Sequence, residues 1–213
     1  MSGSRQIGDL VDFPTSPHKT GDNDTYVRRW WEVPTREVGV RLRWIPYAKG
    51  GGSRRWYGLI YDVVDWSPEA LRFYKDNSSS SMMKRNPDAP IGITYSMLTS
   101  GMNTFRLLPA GAAFDMGGPG FYPARLSAQQ VLAVLNSDLT RIVLYALNPT
   151  LNLQIREVKQ ISIPEFDAVE AERLNILVDK AVDVSAKDWD SEETSWGFKA
   201  NALVVAAQTE TQS

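Results

Sequence analysis

Apolar positions follow two different rhythms along this chain. Through about residue 126 they come in short runs broken by Gly, Pro, Asp and Ser. Afterwards they fall at helical spacing. Residues 8–24 are rich in Pro, Gly, Asp and Thr and read as an extended segment feeding a loop. Residues 25–32, carrying Val27, Trp30 and Trp31, suit a short helix or a strand. In residues 38–47, Val40, Leu42 and Trp44 alternate with Arg41 and Arg43, which predicts a half-exposed strand with a basic face. Residues 49–55, with three consecutive glycines, read as a flexible basic loop, and residues 56–66 as a buried strand. Ser67-Pro68 opens a short helix, Ser as the cap and Pro at the first helical position. A polar loop over 76–90 leads to strands over 91–98, 104–108 and 112–116, then a Gly/Pro loop over 117–123.

Ser127 followed by Gln130 is a capping box, so a helix begins there, with Val131, Leu132, Val134 and Leu135 on its apolar side. A second helix starts at Ser137 and is stopped by Pro149. Short strands over 151–155 and 160–164 precede the longest helix, residues 165–184, and the last residues, 208–213, should fray. Strands first and helices later predict an α+β fold with a mixed or antiparallel sheet followed by a helical segment, not a doubly wound sheet.

The chain has 213 residues, 43% hydrophobic, enough for a proper core. It has no cysteine, which excludes disulfides, thiolate metal sites and a Cys nucleophile and fits a reducing cytoplasm. No apolar run approaches the roughly 20 residues of a membrane span, and the start shows no secretory pattern. The net charge of −2 conceals an asymmetry: residues 1–60 carry 10 basic against 6 acidic side chains, residues 61–160 carry 9 against 8, and residues 161–213 carry 4 against 11. A locally basic surface can bind phosphate whatever the total charge. The rival reading is ordinary surface variation.

Candidate chemistry is sparse. The single histidine, His18, reads as a plain surface residue of the N-terminal loop, and with it alone a Ser-His-Asp triad lacks support. Asp188, Asp190, Glu192 and Glu193 could hold a divalent cation through oxygen, but a solvated charge run explains them as well. The glycines at 50–52 and 117–120 match neither a phosphate-binding loop nor a dinucleotide fingerprint. What remains is basic pairs in loops and short segments: Arg28-Arg29, Arg54-Arg55 and Lys84-Arg85, with Lys49 nearby. Arginine forks onto phosphate or a guanine edge.

Several blocks resemble one family in order. They are Thr20-Gly21-Asp22-Asn23-Asp24 with Val27-Arg28-Arg29-Trp30-Trp31-Glu32-Val33; Arg55-Trp56-Tyr57-Gly58 with Tyr61-Asp62-Val63-Val64-Asp65-Trp66; Gly92-Ile93-Thr94-Tyr95-Ser96 with Phe105-Arg106-Leu107-Leu108-Pro109 and Ala113-Phe114-Asp115; Leu135-Asn136-Ser137 and Leu147-Asn148-Pro149-Thr150-Leu151-Asn152; and Asp188-Trp189-Asp190-Ser191 with Thr194-Ser195-Trp196-Gly197-Phe198. The series is similar to the specificity region of PglX-type adenine-specific methyltransferases of BREX phage-defence systems, and covers residues 6 to 200.

The resemblance implies a target-recognition domain over 1–160, resembling type I restriction specificity subunits, and a docking helix with C-terminal segment over 161–213. It implies double-stranded DNA as a partner, with a methyltransferase catalytic domain or other defence subunits as protein partners, and no membrane. The family's catalytic Asn/Asp-Pro-Pro-Tyr motif is missing: Asn86-Pro87-Asp88 and Asn148-Pro149-Thr150 both lack the second proline and the aromatic residue. The resemblance therefore implies no catalysis and no bound cofactor in this chain, S-adenosylmethionine belonging to a catalytic domain elsewhere. The chain is then expected to be an excised fragment, a split subunit or a truncated gene product. Arg28, Arg29, Arg41, Arg43, Lys49, Arg54, Arg55, Lys84, Arg85, Arg106, Asn148 and Asn152 are the candidate DNA contacts. The acidic surface of the long helix (Glu170, Glu172, Asp179, Asp183) suits a protein partner, because phosphate would repel it. Two alternatives stand beside this reading: a protein-docking subunit that does not bind DNA, and a small enzyme using the tail carboxylates with a metal.

Overall fold

The strand segments pair into two four-stranded sheets that share an edge of hydrophobic packing, and the later helices cover one of them. The structure is a computed structural model, which describes residues 5–14, 16–148 and 150–200. Pro149 and the run 208–213 lie outside the described residues. In chain order the elements are β1 (Arg5–Gln6), β2 (Val11–Asp12), α1 (Asn23–Tyr26), β3 (Val27–Arg29), β4 (Trp44–Ala48), β5 (Asp62–Asp65), α2 (Pro68–Asp76), β6 (Gly92–Tyr95), β7 (Phe105–Leu108), β8 (Ala113–Phe114) and β9 (Gly120–Pro123). Then follow α3 (Ala128–Leu135), α4 (Asp138–Leu147), α5 (Ile155–Lys159), β10 (Ser162–Ile163) and α6 (Ala168–Trp189).

The first sheet has the order β2-β9-β6-β7 and the second β3-β5-β4-β8, with β1 and β10 forming a separate antiparallel pair. All pairings are antiparallel except β4 with β8. The fold is thus α+β with a mixed sheet, as the order of patterns predicts. One core lies between the first sheet and α3, α4 and α6, built on Ile93, Tyr95, Phe105, Phe121, Leu132, Leu144 and Val178. The other lies between the second sheet and α2, built on Ile45, Tyr47, Val64, Tyr74 and Phe114. Leu108 of β7 belongs to this second core, which joins the two sheets.

Several expected elements are displaced, each for a local reason. The basic strand over 38–47 shrinks to β4. Its first half is a turn in which Leu42 N–H donates to Gly39 O at 3.0 Å and Gly39 N–H to Trp44 O at 2.9 Å. The alternating arginines therefore belong to a turn, and β4 itself is buried. Residues 56–66 contain only β5, because Trp56 (φ 73°), Gly58 (φ 105°) and Leu59 (φ 60°) take left-handed conformations that break a strand. Here the chain crosses from β7, where Leu107 N–H donates to Trp56 O at 2.9 Å, to the second sheet. The Gly/Pro loop over 117–123 is instead the inner strand β9, with Phe121 fully buried. Where a strand over 151–155 was expected, a bridge pairs Leu98 with Asn152, and the Gln154/Glu157 capping box starts α5. Within 25–32 both readings hold in part: the end of α1, then β3, then a tight turn over Trp30–Glu32.

The caps read from sequence are present. Ser67 Oγ accepts from Ala70 N–H at 3.3 Å, and Ser127 and Gln130 form the capping box of α3. The long helix starts three residues later than expected, because Asp167 with Glu170 makes the box, and it runs on to Trp189. Among the described residues no single helix is long and apolar enough to cross a membrane.

Candidate nucleic-acid interface

The basic candidates do not form one surface. Strand register separates them, since Trp44 of β4 lies opposite Asp65 and Tyr47 opposite Asp62. Arg41, Arg43 and Arg85 gather at the Asp65 end of the second sheet, with Lys84 next to Arg85 in the chain, whereas Arg29, paired with Asp62 across β3 and β5, lies at the other.

The Asp65 end is built as follows. Pro34 introduces a tight turn over Thr35–Glu37, and the following turn projects Arg41, Leu42 and Arg43 into solvent. Its base is pinned by Arg85, which donates to Val40 O at 2.7 Å and Gly111 O at 2.7 Å, with its guanidinium 5.2 Å from the Trp66 ring centre. Arg85 is thus half-buried support, and burial lowers its pKa. Arg43 bonds Asp65 at 2.8 Å and lies 5.0 Å from the Trp44 ring centre. Burial raises the pKa of Asp65, but hydrogen bonds from Arg43 and Ser67 outweigh it and hold the carboxyl below its ordinary value. Arg41 pairs with Asp88, both side chains well exposed. Such a pair is worth about 0–1 kcal/mol, so a phosphate could displace Asp88 cheaply. Lys84 and Arg36 are exposed. Arg36 was not singled out from sequence; its place beside Pro34-Thr35, a turn signal, is the clue.

The remaining candidates are engaged elsewhere. Arg28 folds back on the carbonyls of Asp24 and Val27, at 2.5 and 2.7 Å. Arg29 pairs with Asp62 at 3.3 Å. Lys49 leads the glycine loop and lies 5.9 Å from the Tyr47 ring centre. That loop is less free than its glycines suggest: a Cβ on Gly50 would lie 1.9 Å from Gly117 O. Arg54 turns inward to Ser185 O at 3.0 Å and Asp188 at 2.5 Å. Arg55 is half-buried, its carbonyl accepting from Ser185 Oγ at 3.1 Å. Arg106 is fully buried, so it has no surface to offer DNA. Asn148 bonds Asn152 O at 2.8 Å and Thr150 N–H at 3.0 Å, which closes a turn.

His18, expected on the surface, is fully buried beneath Tyr47, Trp66 and Tyr74. Its loop is drawn in because His18 N–H donates to Phe114 O at 2.9 Å and Tyr47 Oη donates to His18 O at 2.8 Å. Two of the four tail carboxylates are engaged: Asp188 pairs with Arg54, and Asp190 accepts from Ser195 Oγ at 2.9 Å. Among the described residues no group of three His, Cys, Asp or Glu could hold a metal ion.

A second surface is apolar. In α4 only Thr140 and Leu144 are buried, while Leu139, Ile142, Val143, Tyr145 and Leu147 are exposed. Beside it lie exposed Leu98, Met102 and Leu151. Met102, Ile142, Tyr145 and Leu151 line one groove of about 440 Å³. By contrast, α6 packs inward through Val178 and Trp189 and is tied to α3 by Ser127–Asn175 (2.7 Å) and Gln129–Asp179 (2.9 Å). Its outer face carries Val169, Ile176, Leu177 and Val184 among the acids.

No family model matches the chain. It is similar to the adenine-specific methyltransferase PglX of Lacticaseibacillus casei (strain Zhang), 30% identical over 202 residues, which cover 87% of this chain and 17% of that protein. It is also similar to the adenine-specific methyltransferase BrxX of Escherichia coli O9:H4 (strain HS), 28% identical over 193 residues, 86% of this chain and 15% of that protein. The chain spans about a sixth of the length of these curated relatives, and the likeness supports a PglX-type relation.

Proposed function

We propose that this chain is the DNA-recognition unit of an adenine-specific methyltransferase in a phage-defence system, and that methyl transfer belongs to another polypeptide segment. The observation that carries the reading is the basic projection at the Asp65 end of the second sheet. Arg41 and Arg43 are exposed on this turn, Arg43 while bonded to Asp65, exposed Lys84 adjoins Arg85 in the chain, and Arg85 fixes the turn from below. Cations held on a rigid base neutralise phosphates and set register, and base edges are then read from the same turn. The likeness to two adenine-specific methyltransferases supports DNA as the polymer.

The residues here do not fit S-adenosylmethionine or a flipped adenine. Asn86-Pro87-Asp88 is a surface turn in which Asn86 Oδ1 accepts from Asp88 N–H at 3.0 Å, and no aromatic side chain follows it. The cofactor is therefore assigned to the methyltransferase segment outside this chain, and no catalytic step is assigned to these residues.

Fluorescence anisotropy of a labelled duplex across a salt series tests the reading. Phosphate contacts require log K to fall with log salt at about 0.9 per neutralised phosphate. An affinity independent of salt, or no binding at low salt, refutes it. The competing reading, a docking subunit without DNA contact, draws on the apolar α4 surface and predicts the second result.

A further inference from the structure

α4 is apolar around most of its circumference yet is packed on one side only. Its sequence, Asp138 to Leu147, offers Leu139, Ile142, Val143, Tyr145 and Leu147 to solvent, from 36% exposed at Val143 to 72% at Tyr145. A helix hydrophobic all round is normally a buried helix. Met102 and Leu151 extend the surface across the groove. Half-exposed side chains of this size leave on the order of 100 Å² each. The four that line the groove, Met102, Ile142, Tyr145 and Leu151, together leave on the order of 400 Å² of apolar surface, at the upper end of what a monomer's patch usually shows.

The surroundings narrow the occupant. The one cation among the groove-lining residues, Arg141, is paired with Asp138 at 3.3 Å and bonds Met102 sulfur, so the groove offers a phosphate backbone a single cation where several are needed. A bilayer is a poor match, because α3 and α4 are bent by 63° and the apolar side of α3 is already spent in the core. In the two relatives the matched stretch is only 17% and 15% of the polypeptide, so most of each protein lies outside it.

We infer that the α4 face, with its groove, is where this unit docks on an apolar surface of the remaining methyltransferase polypeptide. This rests on the reading of the chain as one part of such an enzyme. It places a docking role on α4 beside the one that the acidic outer face of α6 suggests.

The test uses the full-length Lacticaseibacillus casei relative with a photo-crosslinking amino acid at the positions aligned with Ile142 and Tyr145, and with Lys84 as the control. Crosslinks from the first two to residues of the same polypeptide outside the matched stretch, and none from the control, support the proposal. Crosslinks confined to the matched stretch, to a second copy or to phospholipid, or none at all, overturn it. Light scattering on the 213-residue chain adds a second readout: a dimer that Ile142→Glu with Tyr145→Glu dissolves would identify a second copy as the occupant, while a monomer unchanged by the pair agrees with docking elsewhere. The same double variant should bind duplex DNA within twofold of the parent. Failure of the DNA reading and failure of the docking inference thus appear in separate assays.

Discussion

Arg54, from the glycine loop of the basic N-terminal part, grips the end of α6: its guanidinium lies 2.5 Å from Asp188 and 5.1 Å from the Trp189 ring centre. It also donates to Ser185 O at 3.0 Å and Tyr57 O at 3.1 Å, so a cation meets the carbonyl end of the helix dipole. Arg54→Ala should cost about 2 kcal/mol, a charged hydrogen-bond donor lost at a partly buried site. Asp188→Asn should cost under about 1 kcal/mol, because that carboxylate is 72% exposed. Urea midpoints of both variants check the order. If Arg54→Ala leaves the midpoint unchanged and instead lowers DNA affinity, the clasp is not what the arginine is for.

Acid should loosen the protein through His18. Burial lowers its pKa from 6.5 to about 4, and neither ring nitrogen has a hydrogen-bond partner among the described residues. The unfolded chain therefore binds a proton that the folded chain refuses between pH 6.5 and 4. The contribution is intact above pH 6.5 and is lost as pH falls through that window, about 2 kcal/mol by pH 5. His18→Phe should lose less stability than the parent between pH 7.5 and 5.0. Equal losses in the two proteins would show that His18 does not set the slope.

Among the described residues, Arg106 is a buried cation without a counterion. It is fully enclosed in β7, its Nη2 makes a 3.3 Å hydrogen bond to Ser96 Oγ, and Nε and Nη1 have no partner among those residues. Burial lowers its pKa to about 10. Replacing a buried charge by an apolar side chain of similar volume is often neutral or stabilising by about 1–4 kcal/mol. Arg106→Met should thus hold or raise the melting temperature and leave DNA affinity unchanged. A fall of several degrees would mean that the guanidinium is held by more than Ser96.

Arg41 and Lys84 should act on DNA chiefly through phosphate. Arg41→Ala and Lys84→Ala are each expected to weaken binding across unrelated sequences and reduce the salt slope by about 1. Arg28→Ala, whose guanidinium caps its own backbone, should change the slope little. A slope lost with Arg28 and kept without Arg41 would place the interface at the opposite end of the sheet.

Local signals were readable without a structure because they depend on neighbours in the chain. Ser67-Pro68 and Ser127/Gln130 started helices where their side chains could reach backbone N–H groups three residues on. The order of short apolar runs before helical spacing gave the α+β class. The family blocks pointed to the relation that the two methyltransferases support. Misreadings came where one pattern serves two structures. Arginines alternating with apolar residues at 40–44 look like a strand, yet the chain turns back on itself and Gly39 N–H donates to Trp44 O. Gly117-Gly118-Pro119-Gly120 looks like a loop, yet the next residues pair on both sides as β9.

By itself, then, the sequence determined the caps, the fold class, the missing catalytic motif and the family likeness, all properties of residue type and spacing. Only the tertiary structure decided which charges share a surface. It placed Arg41 and Arg43 on a turn pinned by Arg85, shut His18 and Arg106 inside, and turned Arg54 onto α6. It also left the apolar flanks of α4 uncovered, where the sequence told only where the helix begins and ends. Burial and charge proximity follow from register between strands far apart in the chain, and a short spacing rule carries no information about that.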